Sequence, residues 1–86
     1  MFEFDVNKSK SNLAKHGIDF ETTGRLWTDP QRIEIPARTV DELRSMLIAK
    51  LNDKVWSAIF THVEESIRII SVRRARKNEE EIYYSI

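Results

Sequence analysis

The chain has 86 residues, with 14 basic and 14 acidic side chains and a formal net charge of zero. Hydrophobic residues make up 41% and charged residues 33%, a globular rather than a disordered balance, and the length suits a single domain over residues 1–86. The absence of cysteine excludes a disulfide framework and a thiolate zinc site, and the neutral total argues against broad, non-specific nucleic-acid binding.

Met1-Phe2-Glu3-Phe4-Asp5 has no basic stretch followed by an apolar run. No segment approaches the roughly 20 apolar residues of a membrane span, so a cytoplasmic location is expected. Asp5 is a candidate helix N-cap and Gly17 a candidate stop, which predicts a helix over Val6 to His16 with Leu13 and Ala14 as its few apolar residues. Asp19 caps a second helix from Phe20 to about Trp27, with Phe20, Thr23 and Trp27 on one face, and Asp29-Pro30 ends it.

Three or four strands are expected next: Arg32 to Ile35, stopping at Pro36, then Arg44 to Leu51, Val55 to Val63 and Ile67 to Arg73. Asn52-Asp53-Lys54 and Glu64-Glu65-Ser66 are short polar links that join the last three as antiparallel hairpins. A final helix is predicted from about Ala75 to Ser85, with Ala75, Ile82, Tyr83 and Ile86 in one apolar stripe. The fold class is α+β, with two N-terminal helices, an antiparallel sheet of three to four strands and a C-terminal helix.

The clearest chemical signal is cationic. Arg68, Arg73, Arg74, Arg76 and Lys77 fall close together with no acid among them. Guanidinium forks match phosphate oxygens and stay charged at any working pH. Adjacent strand residues point to opposite faces, so one of Arg73 and Arg74 should face the helices and the other the open side of the sheet. The alternative is a salt-bridged face with Glu34, Glu64, Glu65 or Glu79 as partners. Arg68 alternates with apolar neighbours, but the pattern of the last strand is too irregular to assign its face.

Lys15-His16-Gly17 is the second signal, since histidine moves protons near neutral pH and also simply interacts with the last carbonyls of a helix. His62 shares a strand face with Trp56, Ala58 and Phe60, which reads as packing or an edge position. Glu34, Glu79 and Tyr83 are weaker candidates. Trp27 and Trp56 have the shape to stack on bases, although large aromatics at core spacing usually pack. No metal or phosphate-loop motif is present, so metal-independent chemistry without a cofactor is expected.

Three stretches resemble a known family. Phe2-Glu3-Phe4-Asp5 followed by Asn12-Leu13-Ala14-Lys15-His16-Gly17-Ile18-Asp19-Phe20-Glu21, the Asp29-Pro30 turn, and Ile67-Arg68-Ile69-Ile70-Ser71-Val72-Arg73-Arg74-Ala75 with Glu79 and Tyr83 are similar to the signatures of BrnT toxins from BrnT/BrnA toxin–antitoxin modules. Glu64-Glu65 stands where relatives often have a glycine, and Asn78-Glu79-Glu80-Glu81 where many are more basic.

The resemblance implies a RelE-like fold and a ribonuclease that inhibits translation. It also implies a BrnA-like ribbon–helix–helix antitoxin, operator DNA bound only through that antitoxin, and a 2:2 hetero-tetramer. On this reading the RNA 2′-hydroxyl attacks the adjacent phosphate. His16 or Glu34 is the base, Arg68, Arg73 and Arg74 clamp the phosphate, Tyr83 is a distant candidate acid, and Lys15, Arg76 and Lys77 contact RNA. The competing expectation is a catalytically inactive homologue that binds the antitoxin and helps repress the operon. A lone DNA-binding domain fits least, because the last helix is acidic and there is no helix-turn-helix pattern.

Overall fold

The structure, a computed structural model, describes residues 1–37 and 43–85. The elements run β1 (Phe2–Glu3), α1 (Val6–His16), α2 (Phe20–Thr23) continuing as a 3₁₀ turn (Gly24–Thr28), β2 (Ile33–Ala37), β3 (Arg44–Leu51), β4 (Lys54–Val63), β5 (Ser66–Arg74) and α3 (Lys77–Tyr84). Among the described residues the strands form one five-stranded sheet in the order β1-β5-β4-β3-β2. The α+β class holds, but the sheet is mixed rather than antiparallel, because β1 pairs in parallel with β5 through Phe2–Ile67 and Glu3–Arg68.

The helix boundaries follow local chemistry. The Asp5 carboxylate accepts from the N–H groups of Asn7 and Lys8, and Gly17, at φ +77°, donates its N–H to Leu13. Asp19 accepts from Thr22 N–H, and the tail of the predicted second helix tightens into 3₁₀ geometry at Gly24. The grip of α1 is not apolar: Leu13 is 49% exposed, whereas Ser9 and Asn12 are buried. Ser9 Oγ accepts from Phe20 N–H at 2.8 Å. The Asn12 amide donates to the carbonyls of Ile18 and Val72 and accepts from Val72 N–H, at 2.8, 2.9 and 3.2 Å. This amide therefore does for the edge of β5 what a neighbouring strand would do.

β3 lies where the pattern placed it, and β2 runs on through Pro36, which an edge strand tolerates. Asn52 and Asp53 both adopt positive φ, as a two-residue hairpin turn demands. Glu64 holds φ +56° without a glycine, a backbone strain on the order of 1 kcal/mol. β5 contains a bulge. Ile59 faces Ser71 and Phe60 faces Ile69, which leaves Ile70 as an extra residue, so the buried Ile69 and Val72 stand three positions apart.

The two faces of the sheet carry different cores. On one, Trp56, Ala58 and Phe60 of β4 pack with Leu47, Ala49, Ile69 and Val72 beneath Ile18, Phe20 and Leu26. On the other, Ile48 and Val55 pack with Tyr83 of α3. The predicted apolar stripe of the last helix forms only in part: Tyr83 and Ala75 pack on this core, and Ile82 does not. Ala75 precedes the helix, Ile82 is exposed and Ile86 lies outside the described residues, while Glu79 and Tyr83 are the buried positions.

Candidate functional site

An open cleft of about 490 Å³ lies at the end of the sheet face that carries α1 and α2. Trp27, Arg32, Glu34, Leu47, His62 and Ile67 line it. Alternation along β2 and β4 sends Glu34 and His62 to this face. Glu34 stands opposite Leu47, which stands opposite Ala58, and His62 is four residues beyond Ala58. The pair is thus a diagonal across three strands, and the twist of the sheet folds that diagonal together. Glu34 Oε1 lies 3.8 Å from His62 Nε2, with the side chains 48% and 60% exposed.

Aromatic rings set the wall of the cleft. Phe2 packs on Trp27, Trp27 on Phe60 and Phe60 on His62, with centroids 5.0, 5.0 and 5.4 Å apart. Phe2 is seated by Gly24, where an added Cβ would come within 3.3 Å of the Phe2 ring. The edge-on contact with Phe60 orients the imidazole, and the half-buried Trp27 offers ring surface to the cleft. An imidazole beside a carboxylate, a guanidinium and an aromatic wall in one open cleft suit a nucleotide and its phosphate.

The other residues singled out from the sequence are dispersed. His16 and Lys15 sit exposed at the C-terminal turn of α1, against β5. Arg68 pairs with Glu3 on the surface, with Nη2–Oε1 at 2.8 Å and Nε–Oε1 at 2.9 Å. Arg74 covers the Trp56 ring at 5.5 Å on the α1 and α2 side. Arg73 points to the opposite face, as expected of its neighbour, but α3 closes that face at this end. Arg76 and Lys77 flank the exposed start of α3. Of the proposed catalytic residues only Glu34 lines the cleft.

Arg73 and Tyr83 are engaged in holding α3. Arg73 donates Nη1 to Glu79 Oε1 and Nη2 to Oε2, at 2.7 and 2.9 Å. The Ser57 hydroxyl and Arg76 N–H also donate to Oε1. The Arg73 fork outweighs burial and, with the Arg76 and Ser57 donors, brings the Glu79 carboxyl down to about 2. Tyr83 donates its hydroxyl to Asp29 Oδ2 at 2.6 Å. Burial and that bond push Tyr83 up to about 12, so it keeps its proton at neutral pH. Although burial raises it, Asp29 stays below the ordinary carboxylate range because Tyr83, Lys50 N–H and Gln31 N–H all donate to it.

Sequence reasoning left His62 as packing and did not single out Arg32. The usable signal was strand parity: Arg32 and Glu34 are two apart, and His62 continues the face of Phe60. Among the described residues no group of three His, Cys, Asp or Glu side chains is placed to hold a metal ion, and no helix is long and apolar enough to cross a membrane. No curated protein matches the chain. The model of the family described as the ribonuclease toxin, BrnT, of type II toxin–antitoxin systems matches residues 4–79, and the chain belongs to that family.

Proposed function

We propose that this member of the BrnT family is an endoribonuclease toxin that cuts RNA in the cleft between Trp27 and His62, without a metal ion, and thereby inhibits translation. The observation that carries the reading is the meeting of Glu34 and His62 in one cleft with Arg32 and Trp27. In the reaction the RNA 2′ oxygen forms a bond to the adjacent phosphorus and the bond to the 5′ oxygen breaks. His62 takes the 2′ proton, and the Glu34 carboxylate stabilises the imidazolium. Arg32 meets the charge that builds on the phosphate, and Trp27 stacks on a flanking base. The leaving oxygen takes a proton from that imidazolium or from water, and the products are a 2′,3′-cyclic phosphate and a 5′-hydroxyl end.

Membership of a type II toxin–antitoxin family implies an antitoxin partner. We take it to be a BrnA-like ribbon–helix–helix protein that forms a 2:2 assembly with the toxin in the cytoplasm and carries the operator-DNA contacts. Purified protein incubated with RNA and EDTA should cleave it. Induction should arrest growth, and co-expression of the neighbouring antitoxin candidate should restore it. Intact RNA and normal growth with a folded protein would leave the inactive, antitoxin-binding homologue, a reading supported by the acidic run Glu79–Glu81, of which Glu81 is exposed in the middle of α3.

A further inference from the structure

One face of α1 is built around Lys8, Ser11, Asn12 and Lys15, at i, i+3, i+4 and i+7. Asn12 points inward and is consumed by β5, as described above. The others border a groove between α1 and β5. It consists of two adjoining clefts of about 270 and 220 Å³, which share Lys8 and Ile70. The second is lined by Lys8, Ser11, Lys15, His16 and Ser71, with Phe20 and Ile70.

Three features of the fold make this a groove rather than a flat flank. β1 pairs only as far as Arg68, and Asn12 takes over the edge of β5 at Val72, so among the described residues no strand pairs with the outer edge of the stretch between them, whose other edge pairs with β4. The bulge lies in that stretch and turns Ile70 into the floor. Ser71, just beyond it, is exposed.

The second cleft is also positively charged in a chain whose net charge is zero: Lys8 and Lys15 line it with no acid, whereas the first sets Glu3 and Asp5 against Lys8 and Arg68. From Val6 to His16 there are three lysines and a histidine and no acid. Among the described residues no carboxylate pairs with Lys8, Lys10, Lys15 or His16. The acids at the far end are occupied, since Asp5 caps the helix and Glu3 holds Arg68.

We infer that this groove binds the sugar–phosphate backbone of a single-stranded RNA, as a track separate from the cleft that contains His62. The inference rests on the ribonuclease reading above and adds where the strand is held. Ammonium groups and hydroxyls on a polar floor suit phosphates, which contribute affinity without reading sequence. A protein partner would instead need exposed apolar anchors, and among the described residues the apolar lining of the groove is Phe4, Phe20, Ile69 and Ile70, of which Phe20 and Ile69 are buried and Phe4 and Ile70 half-buried.

The test is fluorescence anisotropy with a labelled single-stranded RNA whose 2′ oxygens are methylated, which cannot be cleaved by 2′ attack. The wild-type protein should bind it. The double variant Lys8→Ala/Lys15→Ala, whose side chains are exposed and whose melting temperature should be unchanged, should bind about tenfold or more weakly at low salt. Its plot of log affinity against log salt should flatten by about 1.4, or roughly 0.7 per lost phosphate contact. A folded double variant with wild-type affinity and salt slope overturns the inference, as does a wild-type protein that ignores the RNA. Loss of antitoxin binding with RNA binding kept would assign the groove to the protein partner and also overturn it. Methylated RNA that binds while unmodified RNA stays intact would overturn the cleavage reading alone.

Discussion

Glu79 grips Arg73 with both carboxylate oxygens, across the boundary between α3 and the sheet, while its own side chain is only 8% exposed. Replacing Glu79 with Ala or Gln strands the guanidinium and should destabilise the domain by about 3 kcal/mol, the lower end for a buried pair because Arg73 is partly wet. The same pair sets an acid limit. The carboxyl lies at about 2 in the folded chain, below its ordinary 4.5. Its stabilisation is therefore complete above about pH 5 and is lost as the pH falls through about 2. Urea titrations at pH 7 and pH 3 should show a larger pH-dependent loss for wild type than for Glu79→Gln. Equal losses would mean the pair contributes little.

Tyr83 and Asp29 form the second hold on α3. Tyr83→Phe removes one hydrogen bond to a charged group, worth about 1.5–3 kcal/mol, and leaves Asp29 its two N–H donors. We expect a lower melting temperature and unchanged RNA cleavage. A variant that melts like wild type but no longer cleaves would return Tyr83 to the chemistry.

Asn12 satisfies three backbone groups at once. Asn12→Leu, of similar volume, leaves all of them unpaired in a buried site, at about 1–3 kcal/mol each. Against the 5–15 kcal/mol of a typical domain this should bring the protein close to unfolding. Circular dichroism melts would show it, and a melting temperature near wild type would demote the amide to a bystander.

His62 and Glu34 should separate activity from stability. His62→Gln should lower RNA cleavage by ~10²–10⁴-fold with an unchanged melt, because the side chain is 60% exposed. Glu34→Gln should cost less, since it acts through His62. Wild-type cleavage by a folded His62→Gln would remove the cleft from the reaction.

The local parts of this fold were legible. Asp5, Gly17, Asp19 and the Asp29-Pro30 stop each act within four residues, so residue type was enough to place them. The Asn52-Asp53 turn fixed the β3–β4 hairpin in the same way. β1 was missed because two residues carry no period and their partner, β5, lies at the other end of the chain. The face of Arg68 was illegible because the bulge at Ile70 breaks the alternation that would reveal it. The polar anchor Asn12 was hidden because it reads as a surface residue until its partners are in place, and Glu79 stood only as one of four candidate partners for the arginines.

By itself, then, the sequence determined the α+β class, the helix caps, the hairpins and the opposite facing of Arg73 and Arg74. All of these follow from short-range sterics and hydrogen bonding. Only the tertiary structure decided that Arg73 is spent on Glu79, that the lysines of α1 border a groove, and that Glu34 meets His62. Each of these depends on register, bulge and twist accumulated over several strands, and none is encoded in any one segment.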